Sequence, residues 1–237
     1  MAAGCNPKRE AGIGLVREFQ GEIEEARIVG VGTGSTTREA LVELARRGML
    51  DGKVVVASSL ASALMVREAG LRPVMPHVVD SIDFYFDGAD EVVPGSLDLL
   101  KGRGAALVGE KILASMSRLR VYVVDESKIV SRLGEKRRVP VEVNPWALSH
   151  VIRRLREMGL HAEPREGSGK DGPASSDWGG VIVDVETGPI EDPAALDREL
   201  KSIVGVVETG IFSGLADAVV VGMRGCGYRV LRVGGRG

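Results

Sequence analysis

Strands alternating with helices between residues 27 and 125 predict an α/β chain built on a mostly parallel sheet with helices on both faces. Glycine-rich turns and acidic pairs recur where strands hand over to helices, the edge at which open α/β sheets bind ligands. A β-α-β-β-α-β run after Gly134 then predicts a smaller α+β unit with the ferredoxin-like pattern. The expected organisation is a Rossmann-like part made of residues 1–133 and 209–237, with residues 134–208 inserted as the ferredoxin-like part.

Asn6-Pro7 reads as an N-cap followed by proline at the first helical position. Ala11, Leu15 and Phe19 follow at four-residue spacing and give this first helix one apolar face. Residues 27–32 form a short buried strand ending in Gly30-Val31-Gly32-Thr33-Gly34-Ser35-Thr36-Thr37. A helix over 37–47 turns Ala40, Leu41 and Leu44 inward and stops at Gly48. Val54-Val55-Val56 is a buried strand, 60–69 a helix closed by Gly70, and 83–86 a strand that delivers Asp87 at its C-terminal end. A helix covers 105–116, and a strand over 120–124 runs into Asp125-Glu126-Ser127-Lys128. In the inserted part, strand 139–143 precedes a helix over 145–158 begun by Asn144-Pro145, then strand 160–164. Residues 165–178 are polar and rich in Gly and Ser, which predicts a mobile hairpin loop. Strand 181–185, a helix over 193–203 capped by Asp192, and strand 204–208 complete the run. Strands 218–221 and 228–233 are expected to pair back with the first sheet, and no internal repeat is visible.

The 237 residues, 44% hydrophobic and 27% charged, are ordinary for a soluble globular chain. A net charge of −2 gives no broad electrostatic reason to bind nucleic acid or a membrane, so an anionic ligand must be attracted locally. Cys5 and Cys226 stand near opposite ends; a chain this long buries a core without staples, so no disulfide is expected and both are read as structural or incidental. No stretch has the apolar run of a signal peptide or approaches the roughly 18 residues of a membrane span, which points to the cytoplasm. Asn and Gln are limited to Asn6, Asn144 and Gln20, and 23 Arg stand against 8 Lys, a bias that fits a thermophile or a GC-rich genome equally.

The densest chemistry is Asp87-Gly88-Ala89-Asp90-Glu91, followed by Lys101-Gly102-Arg103-Gly104 and Glu110-Lys111. The turn at Gly30 lacks the third glycine of a dinucleotide fingerprint, since Ser35 stands there, and it lacks the Gly-Lys-Ser/Thr of a P-loop. Its glycines and the hydroxyls of Thr33, Ser35 and Thr36 before a helix favour a phosphate or sugar hydroxyl over a plain junction capped by Ser35. Asp87 and Asp90 read either as Mg²⁺ ligands or as turn formers; Lys101 close by shifts them toward chemistry, because an ammonium does a metal's charge-stabilising work. Glu110 lies among small and apolar residues, where burial raises a carboxyl toward the range of a general base. Lys128 ends a strand at the same edge, whereas His77, His150 and His161 have no partner constellation, and Glu142 and Trp146 read as packing or surface residues.

These segments together resemble type A ribose-5-phosphate isomerase. Val29 to Thr36, Asp87 to Glu91, Lys101-Gly102, Glu110-Lys111-Ile112 and Asp125-x-Ser127-Lys128 fall in that family's order and spacing, and Pro140-Val141-Glu142-Val143 resembles the start of its smaller domain. The resemblance implies reversible conversion of ribose 5-phosphate into ribulose 5-phosphate, without metal or organic cofactor, by a homodimer or homotetramer. Carried across, Glu110 is the base moving a proton between C2 and C1, and Lys101 stabilises the developing oxyanion. Asp87 and Asp90 hold hydroxyls and assist ring opening, with Gly88 and Ala89 between them in the binding segment. Thr33, Gly34, Ser35, Thr36, Gly102, Arg103, Gly104 and Lys128 bind the remaining hydroxyls and the phosphate.

Two departures stand out. The family usually has Lys-Gly-Gly-Gly where this chain has Lys101-Gly102-Arg103-Gly104, and Arg before the base where this chain has Gly109. Arg103 is expected either to replace that cation or to obstruct its loop, at a position where a positive φ would bring strain. The competing readings are a sugar-phosphate isomerase-deaminase, a CoA transferase with a glutamate nucleophile, and a non-catalytic sugar-phosphate sensor. The last would need a DNA-binding module, for which the residues before the first strand leave little room.

Overall fold

Asn6 caps the first helix by accepting the Lys8 N–H on its side chain, with Pro7 at the first helical position, in a computed structural model that describes residues 5–167, 169 and 171–233. Helix α1 (Pro7–Glu18) and α2 (Gln20–Glu25) lead into β1 (Ile28–Val31), α3 (Ser35–Arg46), β2 (Val54–Ala57), α4 (Leu60–Glu68), β3 (Pro73–Val74) and β4 (Ile82–Asp87). Strands β5 (Glu91–Val92) and β6 (Leu99–Leu100) precede α5 (Leu107–Met116) and β7 (Ser117–Asp125). Next come β8 (Val139–Val143), α6 (Leu148–Glu157), β9 (His161–Pro164), β10 (Val181–Glu186), α7 (Pro193–Lys201) and β11 (Val206–Thr209). The chain closes with β12 (Ile211–Phe212), β13 (Ala218–Gly222) and β14 (Tyr228–Arg232).

Seven strands form the main sheet in the order β3-β2-β1-β4-β7-β13-β14, parallel except for β14. One face is sealed by α1 and α3, where Leu15, Leu41 and Leu44 pack on Val29, Phe84 and Val121; the other carries Tyr85, Tyr122 and Val219 against Leu113 of α5. Strands buried on both faces must be apolar throughout, which is why these segments read as continuous Val, Ile and Phe runs. The smaller sheet is antiparallel in the order β11-β8-β10-β9, the arrangement of the split βαβ unit, with Val151, Leu155 and Leu200 of its helices buried on Val141 and Val183.

A third sheet, β12-β6-β5, has only two-residue strands and shows no alternation in sequence. It fixes the site: the Asp90 N–H donates to Leu100 O and the Lys101 N–H to Gly210 O, each at 2.8 Å. Smaller differences have local causes. Helix α3 begins at Ser35 rather than 37 because Gly34, at φ +136°, makes the turn. Helix α5 begins at Leu107 because Ala105 takes φ +58°, and residues 145–147 form a 3-10 turn before α6.

The expectation of unpaired cysteines is overturned: Cys5 and Cys226 form a disulfide, with Cα atoms 5.3 Å apart. Helix α1 packs on β13 and β14, so the two ends meet across 221 residues of chain. Proximity of ends is a property of the packed fold, which spacing along the sequence does not carry. Of the 165–178 loop, residues 168 and 170 lie outside the described residues; Asp177 accepts the Leu60 N–H at 2.7 Å and anchors the rest to the start of α4. No described helix is long and apolar enough to cross a membrane.

Candidate active site

The chain leaves β1 toward β2 on one side and, after β3, returns to β4 on the other, so a crevice opens at the C-terminal ends of β1 and β4. There the backbone at Gly32 passes so close to Asp87 that a Cβ would lie 1.8 Å from the carboxyl carbon; only glycine fits. Asp87 is fully buried. Its Oδ1 accepts the N–H groups of Thr33 (3.0 Å) and Gly88 (2.7 Å), and its Oδ2 accepts the Tyr85 hydroxyl at 2.5 Å.

That same oxygen meets Lys101 Nζ at 2.7 Å, and Nζ also donates to Gly88 O at 2.6 Å. Burial by itself would lower this ammonium's pKa, but Asp87 and Glu110 overcome it and hold the group above its ordinary value. Glu110, in the first turn of α5 and 4% exposed, brings Oε2 to 3.2 Å from Nζ, yet that oxygen makes no well-formed hydrogen bond. Burial, then the charge of Asp87, push Glu110 up to about 8 against the pull of Lys101. One ammonium lies between two carboxylates; Asp87 is closer and is already hydrogen-bonded from four other groups, which leaves Glu110 the carboxyl short of partners.

Every candidate named from the sequence except Asp87 lines one cavity of about 310 Å³, and Asp87 sits behind its wall as the support of Lys101. Thr33, Gly34, Ser35 and Thr36 present the N-terminus of α3, while Gly88, Ala89 and Asp90 continue the rim. Asp90 Oδ2 accepts the Arg103 N–H at 3.0 Å, tying it to the Gly102-Arg103-Gly104 loop. Positive φ falls on Gly102 (+101°) and not on Arg103, so the arginine carries no backbone strain of that kind. At Gly109 a Cβ would approach Ser58 O to 2.0 Å, with the Trp178 indole nitrogen at 3.0 Å; helix α5 has no room there for an arginine.

Asp125, the first residue of the Asp125-x-Ser127-Lys128 motif, also lines the cavity, and so do Lys8 and Arg137, which belong to no motif in the sequence. Lys8 Nζ donates to Ser35 Oγ at 2.9 Å from across α1. A signal existed: a lysine in the first turn of a helix opposes the helix dipole, a cost that calls for a reason. Lys8 thus brings a cation to the N-terminus of α3, whose first N–H groups have no side-chain cap, and Lys128 lines the same cavity. Beneath it, Thr33 Oγ1 lies 2.7 Å from Ser59 Oγ, within a group of buried hydroxyls that holds the turn. Arg165, from beyond β9, donates to the carbonyls of both Gly102 and Arg103 at 2.9 Å while paired with Asp184, so the smaller sheet also braces the site loop.

Residues 54–225 match the family model for ribose 5-phosphate isomerase A (phosphoriboisomerase A). The chain is 48% identical over 229 residues to ribose-5-phosphate isomerase A of Aeropyrum pernix, covering 96% of each. Among solved structures it is similar to ribose 5-phosphate isomerase A of Methanocaldococcus jannaschii, at TM-score 0.87 and 36% identity over 95% of this chain and 98% of that one. It is similar also to a D-ribose-5-phosphate isomerase in complex with phospho-erythronic acid, at TM-score 0.88 and 39% identity over 95% and 97%.

Proposed function

The chain belongs to the ribose 5-phosphate isomerase A family and interconverts D-ribose 5-phosphate and D-ribulose 5-phosphate, and we propose that it does so with Glu110 as the single base and Lys101 as the oxyanion partner. The observation that carries this assignment is the pair itself: a buried carboxyl raised to about 8, 3.2 Å from an ammonium, both facing one cavity. Family membership decides against the deaminase, CoA-transferase and sensor alternatives.

We propose that the phosphate docks at the N-terminus of α3 between Lys8 and Lys128, which aims C1 and C2 of the open-chain sugar at Glu110. Asp90 faces the cavity and takes a sugar hydroxyl during ring opening. Asp87, whose oxygens are already occupied, acts by holding Lys101. Glu110 removes the C2 proton; the electron pair moves into the C1–C2 bond and the carbonyl electrons onto O1, giving an enediolate beside the ammonium. The proton on O2 passes to O1, and Glu110 returns its proton to C1, leaving the carbonyl at C2. A preorganised cation at the developing oxyanion is worth about 3–4 kcal/mol, and a positioned base roughly 10²–10⁴-fold. With Nζ already fixed by Asp87 and Gly88 O, no reorganisation is needed as charge develops.

The test is isotope exchange. In D₂O the native enzyme should place deuterium at C1 of ribulose 5-phosphate, and Glu110→Gln should bind phospho-erythronic acid normally while losing exchange and turnover together. Retained exchange in that variant contradicts the assignment. For the assembly we propose a homodimer or homotetramer, a reading supported by Trp146, Val204 and Val207 exposed near the edge strand β11. Sedimentation as a monomer contradicts it.

A further inference from the structure

Beside the catalytic cavity lies a second one of about 430 Å³, and the two share Asp90, Arg103 and Arg137 as a common wall. Its lining carries five cationic side chains against two carboxylates, a formal excess of +3 in a chain whose net charge is −2. Both carboxylates are committed: Asp184 to Arg165, and Asp90 to the Arg103 N–H with Nε 3.7 Å away. Lys136 donates to two backbone carbonyls, which satisfies its hydrogens without cancelling its charge. Arg138 is paired outward with Glu163 and Glu186. Arg137 has neither hydrogen bond nor ion pair among the described residues.

Positive charge focused in a concave site raises the local concentration of anions, and guanidinium forks match phosphate and carboxylate oxygens. We propose that this second cavity is a binding site for a small anion with two or more negative charges, a phosphorylated metabolite other than the substrate in turnover. Arg137 provides its primary contact, with Arg138 at the rim and the charge of Lys136 adding to the local field. The anion draws on two guanidinium groups that also face the catalytic cavity, so its occupancy weakens affinity for the sugar phosphate without abolishing it, and by linkage the sugar phosphate weakens the anion by the same factor.

The probe is pyrophosphate, titrated calorimetrically into the intact enzyme after its catalytic cavity has been saturated with phospho-erythronic acid. The proposal rests on the catalytic reading only through that blocking ligand, whose own binding is measured first, so failure of either is distinguishable. Lys136→Gln combined with Arg138→Gln alters groups that line the second cavity alone. Expected are one bound pyrophosphate per blocked chain and an affinity about tenfold weaker in the double variant, with kcat and KM for ribose 5-phosphate unchanged when pyrophosphate is absent. Lys136→Gln alone should give a smaller loss in the same direction, and it keeps the outward Arg138 pairs intact should the double variant be unstable. No binding to the blocked enzyme, or equal affinity in the variants, overturns the proposal.

Discussion

Glu110 and Lys111 are neighbours on α5, each less than a tenth exposed, and the helix turns them toward opposite regions of the molecule. Lys111 faces the smaller sheet, where Glu208 at 2.8 Å and Asp197 at 3.3 Å take its charge and Phe212 packs 4.9 Å away. Both carboxylates have further partners in Lys201 and Thr209. Glu110 faces the crevice, keeps one oxygen without a hydrogen bond, and must share with Asp87 the only cation paired with it among the described residues. The same degree of burial therefore yields a satisfied clamp on one side and a poised base on the other. What separates them is the supply of partners, and a carboxyl left short of them is one ready to take a proton.

Exchanging each lysine for methionine is the sharpest way to break this contrast. Lys101→Met should lower kcat by roughly 10²–10³-fold, since it removes a preorganised donor from the oxyanion. Lys111→Met should leave kcat within about tenfold, as it touches no reacting atom. A comparable collapse of kcat in Lys111→Met, in protein shown by circular dichroism to be folded, would erase the distinction. Stability should respond the other way: Lys111→Met should cost about 2 kcal/mol in urea unfolding, below the 3–5 of a fully buried pair because Lys201 still meets both carboxylates. An unchanged midpoint would show that the clamp holds nothing.

The larger part of this architecture was legible in the sequence because apolar runs and capping residues are local. Asn6-Pro7, Asp192 and the first three strands of the smaller sheet lie where their patterns place them, and the fourth begins later, at Val206 rather than 204. What escaped notice depends on chain segments far apart in sequence. The β12-β6-β5 sheet that fixes Lys101 has strands too short for a period to register. Lys8 and Arg137 reach the cavity from elements that carry no motif, and the Cys5–Cys226 bond depends on where the packed ends come to lie. Gly109 was visible as a departure, but its cause, the Ser58 carbonyl against α5, was not.

Smaller effects refine the comparison. Tyr85→Phe removes one of the donors that occupy Asp87 and should cost about 1–2 kcal/mol, with a several-fold drop in kcat as Lys101 loosens. A loss of stability with kcat and its pH dependence untouched would confine Tyr85 to packing. Glu110→Gln should have the mildest effect on folding, and a favourable one. The folded protein holds this carboxyl up to about 8, above its ordinary value, so the folded state binds the extra proton and stability falls as pH rises from that ordinary value to about 8. Above that range the full penalty is present; glutamine has none, and the variant should melt about 2–4 °C higher at alkaline pH. A lower melting temperature there would mean that the charged form of Glu110 is favoured in the folded state.

The most direct measurement is the pH dependence of kcat/KM for ribose 5-phosphate in the native enzyme. A base must be ionised to accept the C2 proton, so the rate should rise through a single limb centred near the value of about 8 to which Glu110 is pushed. A limb in the ordinary glutamate range near ~4.3, or a profile flat across neutrality, would contradict a buried, partner-poor Glu110 as the catalytic base.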